Sequence, residues 1–106
     1  MNDLEISPKE AAALMKEGSI TMIDVRTPEE YEIARIEGCR LVDAALAKEI
    51  VDTWPKDTPI VTVCHHGVRS LDAAMYLRGQ GFLNTRSMWG GIDVWSATVD
   101  PSVPQY

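Results

Sequence analysis

The run Ile60-Val61-Thr62-Val63 follows Pro59 and is cut off by Cys64-His65-His66-Gly67. Four β-branched residues in succession favour an extended strand over a helix. The run does not alternate apolar with charged, which is the pattern of a strand buried on both faces of a parallel sheet. Parallel neighbours need a crossover connection, usually a helix. This one run therefore asks the rest of the chain to alternate strand with helix.

The chain does alternate. Ser7-Pro8, with Glu10 three residues after Ser7, predicts an N-cap, a proline in the first turn and a capping box. Ala11, Leu14 and Met15 recur at helical spacing until Gly18. Ile20 to Val25 predicts a strand. Thr27-Pro28-Glu29-Glu30 repeats the cap-and-proline signal for a short helix through Ala34. Arg40-Leu41-Val42 is a weak strand candidate, and Ala44 to Trp54 reads as a helix stopped by Pro55. Val68 to Arg78 is helical, Thr85 to Met88 a last strand, and Gly90-Gly91 a turn into a short helix holding Trp95. The expected class is α/β, with a mainly parallel central sheet and helices on both faces. At 106 residues the chain is sized for one domain, 1–106, with an irregular tail from Asp100 to Tyr106 lying against it.

Charge and composition narrow the partners. The formal net charge is −6, which argues against nucleic acid or an anionic membrane as partner, since both need clustered Lys and Arg. No apolar run approaches the ~18 residues needed to cross a bilayer. Met1 to Glu5 is acidic and lacks the apolar core of a signal peptide, so the expected location is the cytoplasm. In a reducing compartment the two cysteines, Cys39 and Cys64, are expected as thiols.

Cys64 is the chemical focus. It directly follows a buried strand, at the sheet edge where α/β proteins bind ligands. A glycine-containing loop and a helix N-terminus come next. The loop amides and the helix end make an anion cradle, and Gly67 permits a positive φ there. A thiol so placed, beside His65, His66 and Arg69, is expected as a thiolate near neutral pH. Arg69 adds a planar donor fork for an oxyanion. A cysteine after an apolar strand is often only a small buried hydrophobe, but two histidines, a glycine and an arginine are poor core fillers. A zinc site drawing on Cys64, His65, His66 and Cys39 is disfavoured, because adjacent residues rarely converge on one tetrahedral ion.

With these residues in view, the chain resembles the rhodanese family of sulfurtransferases in its single-domain form. The resemblance rests on Asp24-Val25-Arg26-Thr27-Pro28-Glu29-Glu30-Tyr31, on Arg35-Ile36-Glu37-Gly38-Cys39, on Cys64 through Ser70, and on Gly90-Gly91 with Trp95. It spans nearly the whole chain. Arg35 stands where the family usually has histidine, and Cys39 where it has alanine. Four residues separate Cys64 from Arg69, whereas related phosphatases and arsenate reductases carry one more; the shorter loop suits the outer sulfur of a persulfide.

The resemblance implies covalent transfer through a Cys64 persulfide, with ping-pong kinetics and neither cofactor nor metal. Cys64 and Arg69 are the implied catalytic residues, and His65, His66, Gly67, Val68 and Ser70 the implied substrate-binding loop. Thiosulfate or another protein's persulfide would be the donor, and a thiol or cyanide the acceptor. A carrier module loaded only by protein partners is the alternative; a phosphatase or arsenate reductase is a weaker one. Asp24 and Arg26 read as a structural ion pair, with Glu29 or Glu30 as further partners of Arg26. Cys39 reads as packing rather than as a resolving thiol. The histidines either tune the thiolate, contact substrate or stand in solvent, and Trp89 and Trp95 read as core or rim residues, with Trp89 also a candidate pocket wall.

Overall fold

The computed structural model describes residues 3–106, so the Met1-Asn2 part of the leader reading lies outside the described residues. The elements in chain order are β1 (Glu5–Ile6), α1 (Pro8–Lys16), β2 (Thr21–Asp24), α2 (Pro28–Ile33), β3 (Arg40–Leu41), α3 (Ala44–Thr53), β4 (Ile60–Val63), α4 (Arg69–Gly79), β5 (Thr85–Met88) and α5 (Gly91–Thr98). The predicted elements fall within a residue or two of these bounds. The exception is β1, a two-residue edge strand too short to leave any periodicity in the sequence.

The five strands form one sheet in the order β1-β5-β4-β2-β3. Every pairing is parallel. β4 sits at the centre with all four residues buried, as its uninterrupted β-branched run requires. Side chains alternate across the sheet. Met22, Val61, Val63 and Met88 face Ala11 of α1 and Ile92 and Trp95 of α5. Ile23 and Ile60 face Leu46 and Ile50 of α3 and Leu77 of α4. Helices thus cover both faces, and each fully buried aliphatic side chain contributes roughly 1.5–3 kcal/mol through removal from water.

The caps follow the sequence. Ser7 accepts from the Glu10 N–H at 3.1 Å. Thr27 and Glu30 complete a reciprocal capping box on α2. Because α2 leads from β2 to β3 and α4 leads from β4 to β5, the chain leaves the adjacent strands β2 and β4 in opposite directions. A crevice opens at the carboxyl ends of such a pair. Asp24 lies opposite Val63 there, and the Val25 N–H donates to the Val63 carbonyl at 2.9 Å.

A buried ion pair fixes the β2 side of that crevice. The Arg26 and Asp24 side chains have no solvent exposure and meet at 2.6 Å. Arg26 Nε donates to both Asp24 oxygens, Nη1 to the Glu30 carbonyl and the Tyr106 hydroxyl, and Nη2 to the Ala34 carbonyl. Burial opposes the Arg26 charge, but the bonds to Asp24 and Tyr106 outweigh it and hold the pKa above its ordinary value. The expected structural pair is present, but the carboxylate partner is Asp24 alone; Glu30 offers only its backbone carbonyl, because its side chain is engaged elsewhere. Arg26→Met strands a buried carboxylate, so urea denaturation should show a loss of about 3–5 kcal/mol. Adding Asp24→Asn should recover part of that loss, giving a non-additive double-mutant cycle.

Candidate active site

Cys64 follows β4 directly and is 1% exposed. Its sulfur accepts the Gly67 N–H at 3.0 Å. Its thiol donates to Ser70 Oγ at 3.3 Å, and Ser70 Oγ lies 2.7 Å from Ser87 Oγ on β5. Val68 begins α4 without any side-chain cap, which leaves that helix end to the loop. Thr62 Oγ1 on β4 donates to the Ser70 carbonyl at 2.7 Å and pins the first turn of α4 to the sheet.

The loop is held from behind by α5. The Ile92 N–H donates to the Cys64 carbonyl at 2.9 Å, and the Asp93 N–H to the His65 carbonyl at 3.1 Å. In a trans peptide the N–H points opposite to the C=O. Tying these two carbonyls to α5 therefore turns the His65 and His66 N–H groups away from it. The close approach requires glycine. A Cβ on Gly91, at φ +62°, would fall 2.3 Å from the Cys64 carbonyl oxygen, and one on Gly67, at φ +92°, would fall 2.9 Å from the Gly90 nitrogen. Gly90-Gly91 is thus the floor of the Cys64 loop as well as the turn the sequence predicts.

The remaining loop residues divide. His65 stacks between His66 and Tyr106, with ring centroids at 3.9 and 3.8 Å, and its Nε2 is buried without a partner. His66 and Val68 are exposed. Arg69 turns its guanidinium to Glu30, Nη1 to Oε1 at 2.6 Å and Nη2 to Oε2 at 2.8 Å. Tyr106 Oη donates to Glu30 Oε2 at 2.7 Å. These bonds, Arg69's first, hold the Glu30 carboxyl far below the usual carboxylate range, against the effect of burial.

Glu30, Tyr106, Ser87 and the glycine floor are contacts that sequence reasoning missed. Glu30 was visible as a capping residue and as a candidate partner of Arg26, not as the partner of Arg69, and Ser87 only as a hydroxyl in a buried strand. The tail, residues 100–106, carries no helix or strand. It is tied down by the Ser96 hydroxyl donating to the Val103 carbonyl at 2.6 Å and by the Gln105 side chain donating to the Asp93 carbonyl at 3.2 Å. Cys39 is 3% exposed in the α1/α5-side core, where burial pushes its thiol pKa well up and makes it a packing residue. Trp89 is 47% exposed and lines a shallow groove with Pro8, Lys9 and Val94 rather than a pocket with the loop residues. Arg35 is exposed, with its guanidinium 5.0 Å from the Tyr31 ring centre. Among the described residues, no group of three or more His, Cys, Asp and Glu is arranged to hold a metal, and no helix is long and apolar enough to cross a membrane.

The Rhodanese-like domain family model matches residues 7–98. The thiosulfate sulfurtransferase GlpE of Pseudomonas entomophila is 39% identical over 93 residues, 88% of this chain and 84% of the relative. Among solved structures, the human single-domain sulfurtransferase TSTD1 matches with a TM-score of 0.75 at 21% identity, covering 90% of this chain and 96% of that one. Reduced CoADR-RHD of Bacillus anthracis matches at 0.78 and 22% identity, covering 93% of this chain but only 17% of that larger one. These two structures speak for the fold alone. The chain belongs to the rhodanese family.

Gly91 gives the sharpest local test. Gly91→Ala forces a Cβ into two loop carbonyls, so denaturation should show a loss above about 2 kcal/mol. Gly79→Ala meets open space at the end of α4 and should change stability by less than about 0.5 kcal/mol.

Proposed function

We propose that Cys64 is the sulfur-carrying residue of this sulfurtransferase, and that it takes sulfane sulfur from thiosulfate as a Cys64 persulfide. One observation carries the reading: the Cys64 sulfur is met by the Gly67 N–H and the Ser70 hydroxyl in a loop held to the N-terminus of α5. The names of the curated relatives support the donor.

In the first step the Cys64 thiolate attacks the outer sulfur of thiosulfate. A new S–S bond forms, the sulfur–sulfur bond of thiosulfate breaks, and sulfite leaves with the electron pair. In the second step cyanide or an acceptor thiolate attacks the outer sulfur of the persulfide. Thiocyanate or the acceptor's persulfide leaves, and the Cys64 thiolate is restored. Both steps are two-electron displacements at sulfur.

Gly67 solvates sulfur from the backbone. Ser70, backed by Ser87, turns its hydroxyl proton toward the sulfur when the thiol proton is gone. His65, His66 and Val68 line the approach. Arg69 supplies positive charge at the rim, close enough that the Cys64 sulfur adds to the rise in its pKa after the larger effect of the Glu30 hydrogen bonds.

Steady-state thiocyanate formation from thiosulfate and cyanide tests the reading. Parallel double-reciprocal lines are expected, as is a loss of at least about a thousandfold in Cys64→Ser. An intersecting pattern, activity surviving in Cys64→Ser, or Cys64-dependent hydrolysis of an aryl phosphate in its place would overturn it. Negligible turnover with rapid loading from a protein persulfide would reassign the chain to a carrier served by partner proteins.

A further inference from the structure

Arg69 opens α4 directly after the loop, yet its charge is spoken for. It makes two parallel hydrogen bonds to Glu30, the strong fork-to-carboxylate geometry. Glu30 itself does not depend on Arg69 for its position. Its Oε1 also accepts from the Thr27 N–H and Thr27 Oγ1 in the capping box of α2, at 3.3 and 3.2 Å. Its Oε2 also accepts from Tyr106 Oη. Tyr106 is in turn held by Arg26, whose side chain is fully buried. The carboxylate is therefore the fixed partner and the guanidinium the captive one. The Arg69 side chain is 44% exposed and that of Glu30 18%, so an incoming anion meets Arg69 at the surface with the carboxylate behind it.

Resting on the sulfurtransferase reading, we propose that Glu30 is a specificity-determining residue: by holding Arg69 it tunes the rim charge, so that donors are sorted by the charge on their leaving end. Thiosulfate is a dianion that releases sulfite. An alkanethiosulfonate is a monoanion that delivers the same outer sulfur and releases a sulfinate, with the same bond broken and formed. The dianion gains more from a free guanidinium, and loses more when that guanidinium is neutralised by a fixed carboxylate. Glu30 thus flattens a preference for dianionic donors that Arg69 alone would impose.

Glu30→Gln is the informative variant. Glutamine at this third helical position retains the capping box but gives up the negative charge. Sulfur loading of Cys64 is measured with thiosulfate and with methanethiosulfonate, each over a range of concentrations. In Glu30→Gln the KM for thiosulfate should fall about fivefold, the scale of one partly exposed ion pair. The KM for methanethiosulfonate should fall only about twofold, because it carries half the charge and Coulomb energy is linear in charge, and kcat for both should hold, because the same bond is broken and formed. Arg69→Gln in the Glu30→Gln background should erase the difference. Equal shifts for both donors, no shift, or a rise in the thiosulfate KM would overturn the proposal, because a structural role for Glu30 affects both donors alike. Wild-type protein that loads sulfur from neither donor would overturn the parent reading instead.

Discussion

Two peptide carbonyls carry the architecture of the site. Those of Cys64 and His65 are held by the first amides of α5, and two glycines, Gly67 and Gly91, make room for that contact. Backbone bonded to backbone at this distance leaves no side chain to adapt. The loop is consequently held in place, and it presents the Gly67 amide to the Cys64 sulfur. A donor fixed in this way loses little on meeting a charged sulfur, because its dipole already points the right way.

A second layer fixes the rim. The buried Asp24–Arg26 pair ends β2, reaches across to Tyr106, and through Tyr106 to Glu30 and Arg69. The network runs from the floor of the crevice, where charges are fully desolvated, to its surface, where Arg69 is half exposed. Its inner members are structural, since removing one strands another. Its outer members, Glu30 and Arg69, are partly exposed. The same chain of bonds thus stiffens the fold at one end and sets the charge seen by a donor at the other. Tyr106 joins the two, which gives a tail without secondary structure a defined place beside the loop.

Much of this was legible in the sequence. The β-branched run at 60–63 predicted the central buried strand, the cap signals at Ser7 and Thr27 predicted helix starts, and the Cys64-to-Ser70 segment marked the loop. These signals are local, and local physics decides them. The missed features depend on the third dimension. β1 is two residues long and exists because β5 offers it an edge. The role of Gly90-Gly91 under the loop is a contact between segments some 25 positions apart, invisible to any spacing rule. Glu30 satisfies two demands at once; the sequence pairs it with the nearby Arg26, whereas its carboxylate meets Arg69, 39 positions away. Ser87 is a hydroxyl on a buried strand, and only its approach to Ser70 explains it.

The central claim is that Cys64 holds a transferable sulfur. Intact-protein mass spectrometry after incubation with thiosulfate reads this directly. The account predicts a gain of one sulfur mass, mapped by peptide analysis to Cys64, absent in Cys64→Ala and discharged by cyanide, with Cys39 unchanged. A gain that persists in Cys64→Ala, or no gain with any sulfane-sulfur donor, would contradict it.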